Sequence, residues 1–228
     1  MPHAALALLL LAAPGDALVP GESPRTARRL GEIADKEKEA RAKPSEQRWA
    51  EVVGELQAVL GSAGDDLVPA GDGDRLVPAR WVCHARLAGL PPTALRLYRG
   101  RVEEQARKWL EQAKQDRDAS VLRRVVEEAF CSRAAESALD LLGDLAFECG
   151  DFDEARRWWA RLLTAEKGAL PPAYPDPQGD PAAIRAKDLV AHWFGGGQAA
   201  PTEWRRALAE FRTKYPWAVG HLAGARGL

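Results

Sequence analysis

Cys83 and His84 are neighbouring residues whose side chains could together do nucleophilic chemistry. A cysteine nucleophile needs a thiolate beside an imidazole in a cleft, usually with a third group that orients the imidazole. Adjacent residues on an α-helix point about 100° apart, so these two side chains would not face each other. We therefore expect a half-buried Cys beside a packing or surface His, and we keep a Cys/His-dependent enzyme as a remote alternative.

The other cysteines do not have the arrangement of a metal site or a disulfide. Zinc needs three or four convergent ligands, and the three Cys and four His residues show no paired spacing. Cys131 and Cys149 are expected at the ends of successive antiparallel helices. Helical rise then separates them by about 20 Å, beyond the roughly 7 Å between Cα atoms that a disulfide allows. We predict no metal site and no bridge between these two cysteines.

Paired acidic residues are the remaining candidates for chemistry. Glu103-Glu104 and Glu127-Glu128 could act as acid and base, but neighbouring carboxylates on amphipathic helices are normally a solvated face. A Ser-His-Asp arrangement, a nucleophile elbow and a glycine-rich nucleotide motif are absent from the sequence. We therefore predict that the chain is not an enzyme and has no catalytic, cofactor-binding or metal-binding residues.

The helices that would position these groups are clearest between residues 134 and 164, AAESALDLLGDLAFECGDFDEARRWWARLLT. Gly150 ends a first helix, because only glycine takes the left-handed closing conformation without cost. Asp151 then starts a second helix as N-cap, with Glu154 completing a capping box. Gly143 lets a neighbouring helix come close. The side chains predicted to face inward, at three- and four-residue spacing, are Ala138, Leu139, Leu142, Leu145, Ala146, Ala155, Trp159, Leu162 and Leu163.

This hairpin resembles a tetratricopeptide repeat, a module of about 34 residues with two antiparallel helices. The sequence departs from the family pattern at Ala146, where a Tyr is usual, and at Leu139, where an early Trp is usual. The resemblance implies a stack of helix pairs, each of which buries its apolar face against its neighbours, with a concave surface left for a partner. An ordinary helical hairpin without repeat ancestry is the alternative. The resemblance rests on Leu142, Gly143, Gly150, Phe152, Ala155 and Trp159.

Amphipathic patterns predict helices along the rest of the chain. The segment 23–44 begins at Ser23-Pro24 and is dense in alternating charge, which is typical of a solvated helix at the edge of a bundle or partly free. The segment 45–60 resembles the second helix of a repeat, with Trp49, Val52 and Leu56 in the roles of Phe152, Ala155 and Trp159. Further helices are expected at 79–90, 93–115, 120–130, 181–194 and 201–215.

Residues 66–78, DLVPAGDGDRLVP, are the one segment with the features of β structure. Gly and Asp between two Leu-Val-Pro segments supply the positive φ angles of a hairpin turn, and the prolines keep any ribbon short. Asp72 and Asp74 could bind calcium, but the loop lacks the spaced ligands and distal Glu of an EF-hand. The predicted fold is therefore all-α, an antiparallel helix-pair array with a small β-hairpin near 66–78.

The first seventeen residues, MPHAALALLLLAAPGDA, have the features of a secretory signal peptide. A short apolar core precedes Pro14-Gly15 and a small-x-small site that ends at Ala17. This core is too short to span a bilayer, which needs roughly 20 apolar residues. We therefore expect a signal peptide at 1–17, a charged helix at 23–44 and a helical domain at 45–228. The mature chain is expected in the periplasm or outside the cell, without an integral membrane segment.

Charge and composition exclude one class of partner. The chain has 228 residues, with 46% hydrophobic and 29% charged residues, as expected for a core-forming protein. The 32 basic and 33 acidic residues are interleaved and give a net charge of −1. A dedicated nucleic-acid binder would carry a basic face, so we do not expect a nucleic-acid partner.

Three stretches together resemble part of a larger family: DDLVPAGDGDRLVPARWVCHARLAGLPPTALRLYR, ALDLLGDLAFECGDFDEARRWWARLL and EFRTKYPWAVGHLAG. In this order they are similar to the helical N-terminal region of exported planctomycete-type proteins. The later part of those proteins is a β-propeller of the pyrroloquinoline-quinone-binding-like class. The sequence ends at Leu228 without strand-rich repeats, so we expect no propeller blades and no quinone cofactor here.

The expected function is that of a non-enzymatic, exported helical-repeat scaffold that binds a protein or peptide. Binding would use exposed residues on the first helices of the pairs, and the candidates are Arg96, Arg133, Asp140 and Asp144. A truncated adaptor region of a β-propeller protein, without independent activity, is the alternative.

Overall fold

The computed structural model describes residues 21–70, 75–163, 170–196, 201–218, 220–222 and 225–227. The predicted signal peptide, the hairpin turn with Asp72 and Asp74, and Thr164 lie outside the described residues. The helices are α1 (Pro24–Ala42), α2 (Glu46–Ala63), α3 (Ala79–Ala88), α4 (Pro92–Asp116), α5 (Ala119–Ala129), α6 (Arg133–Glu148), α7 (Phe152–Leu163), α8 (Pro181–Gly195) and α9 (Pro201–Lys214). The strands are β1 (Leu67–Ala70), β2 (Arg75–Pro78), β3 (Gly220–Leu222) and β4 (Ala225–Gly227).

Consecutive helices contact one another all along the array, from α1 on α2 to α8 on α9. The helix α4 also contacts α2 and α6, which ties the pairs together. One buried cluster runs through the array, and it includes Ile33 of α1, Leu56 of α2, Tyr98 of α4 and Trp159 of α7. The prediction of an all-α array of neighbouring helices with a small β-hairpin is confirmed.

The hairpin of β1 and β2 is antiparallel, with Leu67 opposite Pro78 and Val68 opposite Val77. Both valines are buried, because alternate side chains of this short ribbon face α1 and α3. The chain before α1 joins the ribbon, since the Ser23 amide donates to the Leu67 carbonyl at 2.8 Å. The charged helix α1 therefore lies at the edge of the array and buries Ile33 against it.

Several helix ends have local caps, and the predicted helix end at Gly150 is one of them. Ser45 accepts from the Arg48 amide at 3.2 Å, Asp180 accepts from the Ala182 amide at 2.9 Å, and Gly150 has a φ of +80°. Ser23 is different, because its hydroxyl donates to the Asp66 carboxylate at 2.9 Å and does not cap α1. The residue before α1 is therefore held by Asp66 and Leu67, at the beginning of the hairpin.

The predicted capping box at the start of α7 is half formed. Asp151 Oδ1 accepts from the Glu154 amide at 2.9 Å, as expected. The second predicted contact, from the Asp151 amide to the Glu154 carboxylate, is wrong. The Asp151 amide donates to the Ala146 carbonyl, and the Glu154 carboxylate pairs with Arg157 at 2.8 Å. The Asp151 amide and the Glu154 carboxylate therefore each have another partner, which for Glu154 is an arginine within one turn of the helix.

The apolar side chains of α9 are only half-buried. They are Trp204, Ala207, Leu208 and Phe211. The cause is that α9 packs chiefly on α8, with no further helix over its outer side in the described part of the chain. None of the described helices combines the length and the apolar character of a membrane span.

Candidate functional site

A cleft with a volume of about 1230 Å³ opens where the ends of several helices meet. It is lined by the last turn of α3, the first turns of α4, the start of α6 and the last turn of α7. The loop at 173–177, the start of α8 and the end of α9 complete the lining. Three of the lining residues, Leu90, Leu95 and Leu162, also belong to the buried core. The walls are therefore parts of the packed array, and the cleft is preformed.

The charge in this cleft is mostly positive. Five cationic side chains and two carboxylates line it among the described residues. Because the whole chain has a net charge of −1, the positive excess is local to the cleft. These side chains are Arg96, Arg99, Arg133, Arg185 and Lys214, with Asp176 and Glu210.

Asp176 is held between two of the arginines. Arg99 binds its carboxylate with both terminal nitrogens, Nη2 to Oδ1 at 2.7 Å and Nη1 to Oδ2 at 3.3 Å. Arg133 adds Nη2 to Oδ2 at 2.9 Å and donates from Nη1 to the Asp176 carbonyl, also at 2.9 Å. Partial burial opposes ionisation of Asp176, but the two guanidinium groups outweigh it and lower the pKa of this carboxyl.

A buried tyrosine positions the loop that carries Asp176. Tyr174 is 3% exposed, and its hydroxyl donates to the Ser132 carbonyl at 2.9 Å. Its amide donates to the Arg161 carbonyl at 2.8 Å, and its ring meets the ring of Phe130 edge-on with 6.0 Å between centroids. The loop at 173–177 is thus fixed between α6 and α7, two residues before the carboxylate that faces the cleft.

The four predicted partner-binding residues fall on two separate sites. Arg96 and Arg133 both line the cleft. Asp140 and Asp144 do not, because both bind Lys187 Nζ, at 2.7 Å and 2.8 Å, and so join α6 to α8. Burial opposes the charge of Lys187, but its two carboxylate partners raise its pKa. The pKa of Asp144 is raised as well, because burial and nearby Asp140 outweigh the bond from Lys187.

Cys83 and His84 pack into the core and do not meet as a catalytic pair. Both are buried, and burial raises the pKa of the Cys83 thiol to about 12. His84 Nε2 donates to the Glu127 carbonyl at 2.9 Å, and its ring lies 5.4 Å from the ring of Phe130. Burial lowers its pKa to about 4. The expectation of a half-buried Cys is wrong, since the side chain is fully enclosed. This pair does not supply a thiolate at neutral pH.

One of the paired acidic residues has a structural role that spacing alone did not indicate. Glu103 of α4 accepts from the amides of Arg133 at 2.8 Å and Ala134 at 3.1 Å, and so caps the start of α6. The prediction of a solvated face is wrong for this residue, because its carboxylate satisfies amides that the helix leaves unpaired. The other three carboxylates are in surface ion pairs: Glu104 with Lys108, Glu127 with Arg80 and Glu128 with Arg124.

All three cysteines are free thiols in the structure. Cys83 and Cys131 are buried, and Cys149 is exposed after the last turn of α6. The Cys131 thiol contacts the His84 carbonyl at 3.8 Å, and burial raises its pKa well above the ordinary range. Within the described ranges, no three His, Cys, Asp or Glu side chains come together as metal ligands.

The outer side of α8 is apolar and exposed. Val190, Trp193 and Phe194 are 45%, 50% and 58% exposed and lie on one stripe of the helix. Trp193 packs on Trp204 of α9 at 4.8 Å between ring centroids, and Phe194 stacks on Phe152 of α7 at 5.6 Å. We call Val190, Trp193 and Phe194 the α8 stripe.

Sequence reasoning missed most residues of the cleft. Arg99, Asp176 and Lys214 come together from α4, from a proline-rich loop and from α9, separated by many tens of residues. The one local signal was Tyr174, an aromatic residue within the polar and proline-rich run 171–180. Such a residue indicates that a loop is anchored to the core.

Comparison with known proteins finds no match for this chain. No family model, no curated protein and no solved structure matches the chain.

Proposed function

We propose that this chain is a non-enzymatic scaffold that binds a segment of a partner protein in the cleft between α4, α7, α8 and α9. The observation that carries the proposal is the cleft itself, which has a volume of about 1230 Å³ and walls built into the packed array. Pockets for small molecules typically enclose about 300–1,000 Å³ and bury most of their ligand. A larger opening along several helix ends suits a peptide segment.

The wall chemistry supports the same proposal. Leucine, proline and arginine side chains all line the cleft, so that an incoming chain meets both apolar surface and hydrogen-bond donors. Aromatic and arginine side chains are enriched where proteins bind one another. Here Phe211 and Tyr215, with 5.2 Å between their ring centroids, line the same cleft as Arg96 and Arg133.

Site-specific photocrosslinking tests the proposal. A photoreactive amino acid replaces Arg96 in the cleft, and in a matched variant it replaces Arg107, which lies three turns further along α4. We expect position 96 to yield one specific crosslinked protein and position 107 to yield none. The proposal fails if both positions capture the same proteins, or if position 96 captures nothing under conditions in which the chain is folded.

Export remains part of this proposal. It rests on the apolar segment Ala4–Ala13 and the small-x-small site that ends at Ala17. Expression of the full chain with its natural start should yield a secreted protein whose first residue is Leu18. Recovery of the uncleaved chain from the cytoplasm alone would remove export from the account and leave the cleft unaffected.

The resemblance to tetratricopeptide repeats and to propeller-associated helical regions is also a proposal. It is supported by the pairing of α6 and α7 through Gly143, Gly150 and Trp159. The alternative function, an adaptor without independent activity, differs in one outcome. An adaptor that is inactive alone would give no crosslink from position 96 until a propeller chain is added.

A further inference from the structure

We infer that the segment that enters the cleft is acidic, with its carboxylates on Arg96 and Lys214; this rests on the function proposed above. Arg96 is exposed on the first turns of α4 and forms no ion pair with a described residue. Lys214, at the end of α9, has only the ring of Tyr215 near its ammonium, at 5.4 Å from the ring centroid. Two cations that line the cleft, one on α4 and one on α9, therefore lack a carboxylate partner within the described part of the chain.

The other cations of the cleft are already paired, which isolates Arg96 and Lys214. Arg185 binds Asp188, and Arg99 and Arg133 both bind Asp176. Over the whole chain, 32 basic residues are balanced by 33 acidic residues, so the positive excess in the cleft is local. An unbalanced positive surface inside a cleft favours a ligand of opposite charge and speeds its association.

Asp176 shows what these walls bind. Its carboxylate is taken by a guanidinium from α4 and a guanidinium from α6, in part through a two-nitrogen contact. Such pairs are among the stronger hydrogen bonds in proteins and select planar carboxylates by shape. The cleft thus already binds one carboxylate from its own loop, and the partner's carboxylates would extend the same chemistry to the unpaired cations beside it.

The remaining walls favour a peptide over a nucleic acid as the source of negative charge. Leu90, Leu162 and Leu163 give the cleft an apolar lining, which suits side chains set between the carboxylates of a peptide. Asp176 and Glu210 would oppose a continuous phosphate backbone, and nucleic-acid affinity depends on many cations acting together. We therefore assign an acidic peptide segment that also carries apolar residues.

Short fluorescent peptides test the inference on the full chain. Three peptides carry Glu, Gln or Lys at the same alternate positions, with Leu and Pro between them, and a single-stranded RNA serves as a second polyanion. We expect the Glu peptide to bind at least about tenfold more tightly than the Gln peptide, and the Lys peptide not to bind. Raising the salt concentration should weaken the Glu peptide and leave the Gln peptide nearly unchanged.

A matched pair of variants locates the binding. R96E with K214E reverses two cleft charges, whereas R107E with R212E makes the same change in charge on the same two helices, outside the cleft lining. All four residues are exposed, so both double variants should keep the fold. We expect the cleft variant to lose at least about tenfold in affinity for the Glu peptide and the control to lose less than about threefold.

Asp176→Asn should change the affinity for the Glu peptide in the opposite direction. It removes the internal counter-charge of Arg99 and Arg133 while leaving an amide in place, so the Glu peptide should bind several-fold more tightly.

Equal effects of the two charge-reversed variants, or RNA binding tighter than the Glu peptide, would overturn the acidic-peptide inference. If the Gln or Lys peptide binds best and depends on the cleft, the proposed function stands and only the inference about charge fails. If no peptide binds and position 96 gives no crosslink, both fail.

Discussion

The indole ring of Trp159 occupies the space that a side chain at position 143 would need. A Cβ atom on Gly143 would lie 2.7 Å from Trp159 Cδ1 and would overlap Nε1 and Cε2 more closely still. The indole nitrogen then donates to Asp140, with Oδ1 at 3.1 Å and the carbonyl oxygen at 3.3 Å. The helices α6 and α7 therefore pack at a distance that only glycine permits, and Trp159 is 1% exposed.

Gly143→Ala should destabilise the fold, because the ring of Trp159 cannot move without breaking its bond to Asp140. Overpacking of this kind typically costs about 1–3 kcal/mol. Urea unfolding followed by tryptophan fluorescence measures the difference in the free energy of unfolding. Gly100→Ala on α4 is the control, since a Cβ there meets nothing within 4 Å. Alanine favours the helix, so this variant should gain about 0.5–1 kcal/mol. Equal changes in the free energy of unfolding for Gly143→Ala and Gly100→Ala would contradict the close packing of Trp159 on Gly143.

Glu103→Ala should cost about 0.5–2 kcal/mol, because it leaves the amides of Arg133 and Ala134 without their acceptor at the start of α6. Glu104→Ala removes only a surface contact with Lys108 and should stay within about 0.5 kcal/mol of the parent chain. Chemical denaturation of both variants gives the comparison. If Glu103→Ala leaves the free energy of unfolding unchanged, water replaces the carboxylate as acceptor and the proposed cap does not stabilise the fold.

Stability should fall on mild acidification because of His84. Its pKa is lowered by burial from 6.5 to about 4, with the guanidinium groups of Arg161 and Arg80 acting in the same direction and the bond to the Glu127 carbonyl opposing them. Well above pH 6.5 the ring is neutral in both states, so His84 adds no pH dependence there. Between pH 6.5 and about pH 4, His84 binds a proton in the unfolded chain and stays neutral in the folded chain. The free energy of unfolding therefore falls by up to about 1.4 kcal/mol per unit decrease in pH.

His84→Gln separates this effect from that of the carboxylates, since glutamine keeps an N–H group for the Glu127 carbonyl and does not titrate. The difference in unfolding free energy between parent and variant should change with pH between about 4 and 6.5 and be constant above that range. A difference that is flat throughout would show that His84 binds a proton as readily in the folded chain as in the unfolded chain.

Thiol reactivity should divide the cysteines into two classes. Cys149 is exposed and should react with a disulfide reagent in the folded chain. Cys83 and Cys131 should react only after unfolding, because burial excludes the reagent and raises the pKa of both thiols. Titration under native and then denaturing conditions should find one reactive thiol and afterwards three. A native count above one would mean that the core around Cys83 opens readily.

The parts of the fold that depend on local spacing were predictable from sequence, and those that depend on distant contacts were not. Gly150 and the caps at Ser45 and Asp180 act within a few residues, so their patterns are visible in the chain. Glu103 caps a helix that begins 30 residues later, and Asp176 meets Arg99 across 77 residues. No period or motif connects such residues, because the packing of whole helices brings them together.

The partner-binding candidates illustrate the same limit. Arg96 was predicted only as an exposed residue of a first helix, and it does line the cleft. Asp140 and Asp144 were predicted for the same reason on α6, yet Lys187 of α8 binds both carboxylates. Sequence pattern identifies which helix faces are polar, whereas the neighbouring helix decides which polar side chains stay available to a partner.

Hydrogen–deuterium exchange of the full chain, with and without the acidic peptide, tests the cleft as the binding site most directly. The account predicts slower exchange in the first turns of α4, in the loop at 173–177 and in the last turn of α9, with α1 and α2 unchanged. Slower exchange confined to the α8 stripe, or no protection at the cleft when the peptide is bound, would contradict it.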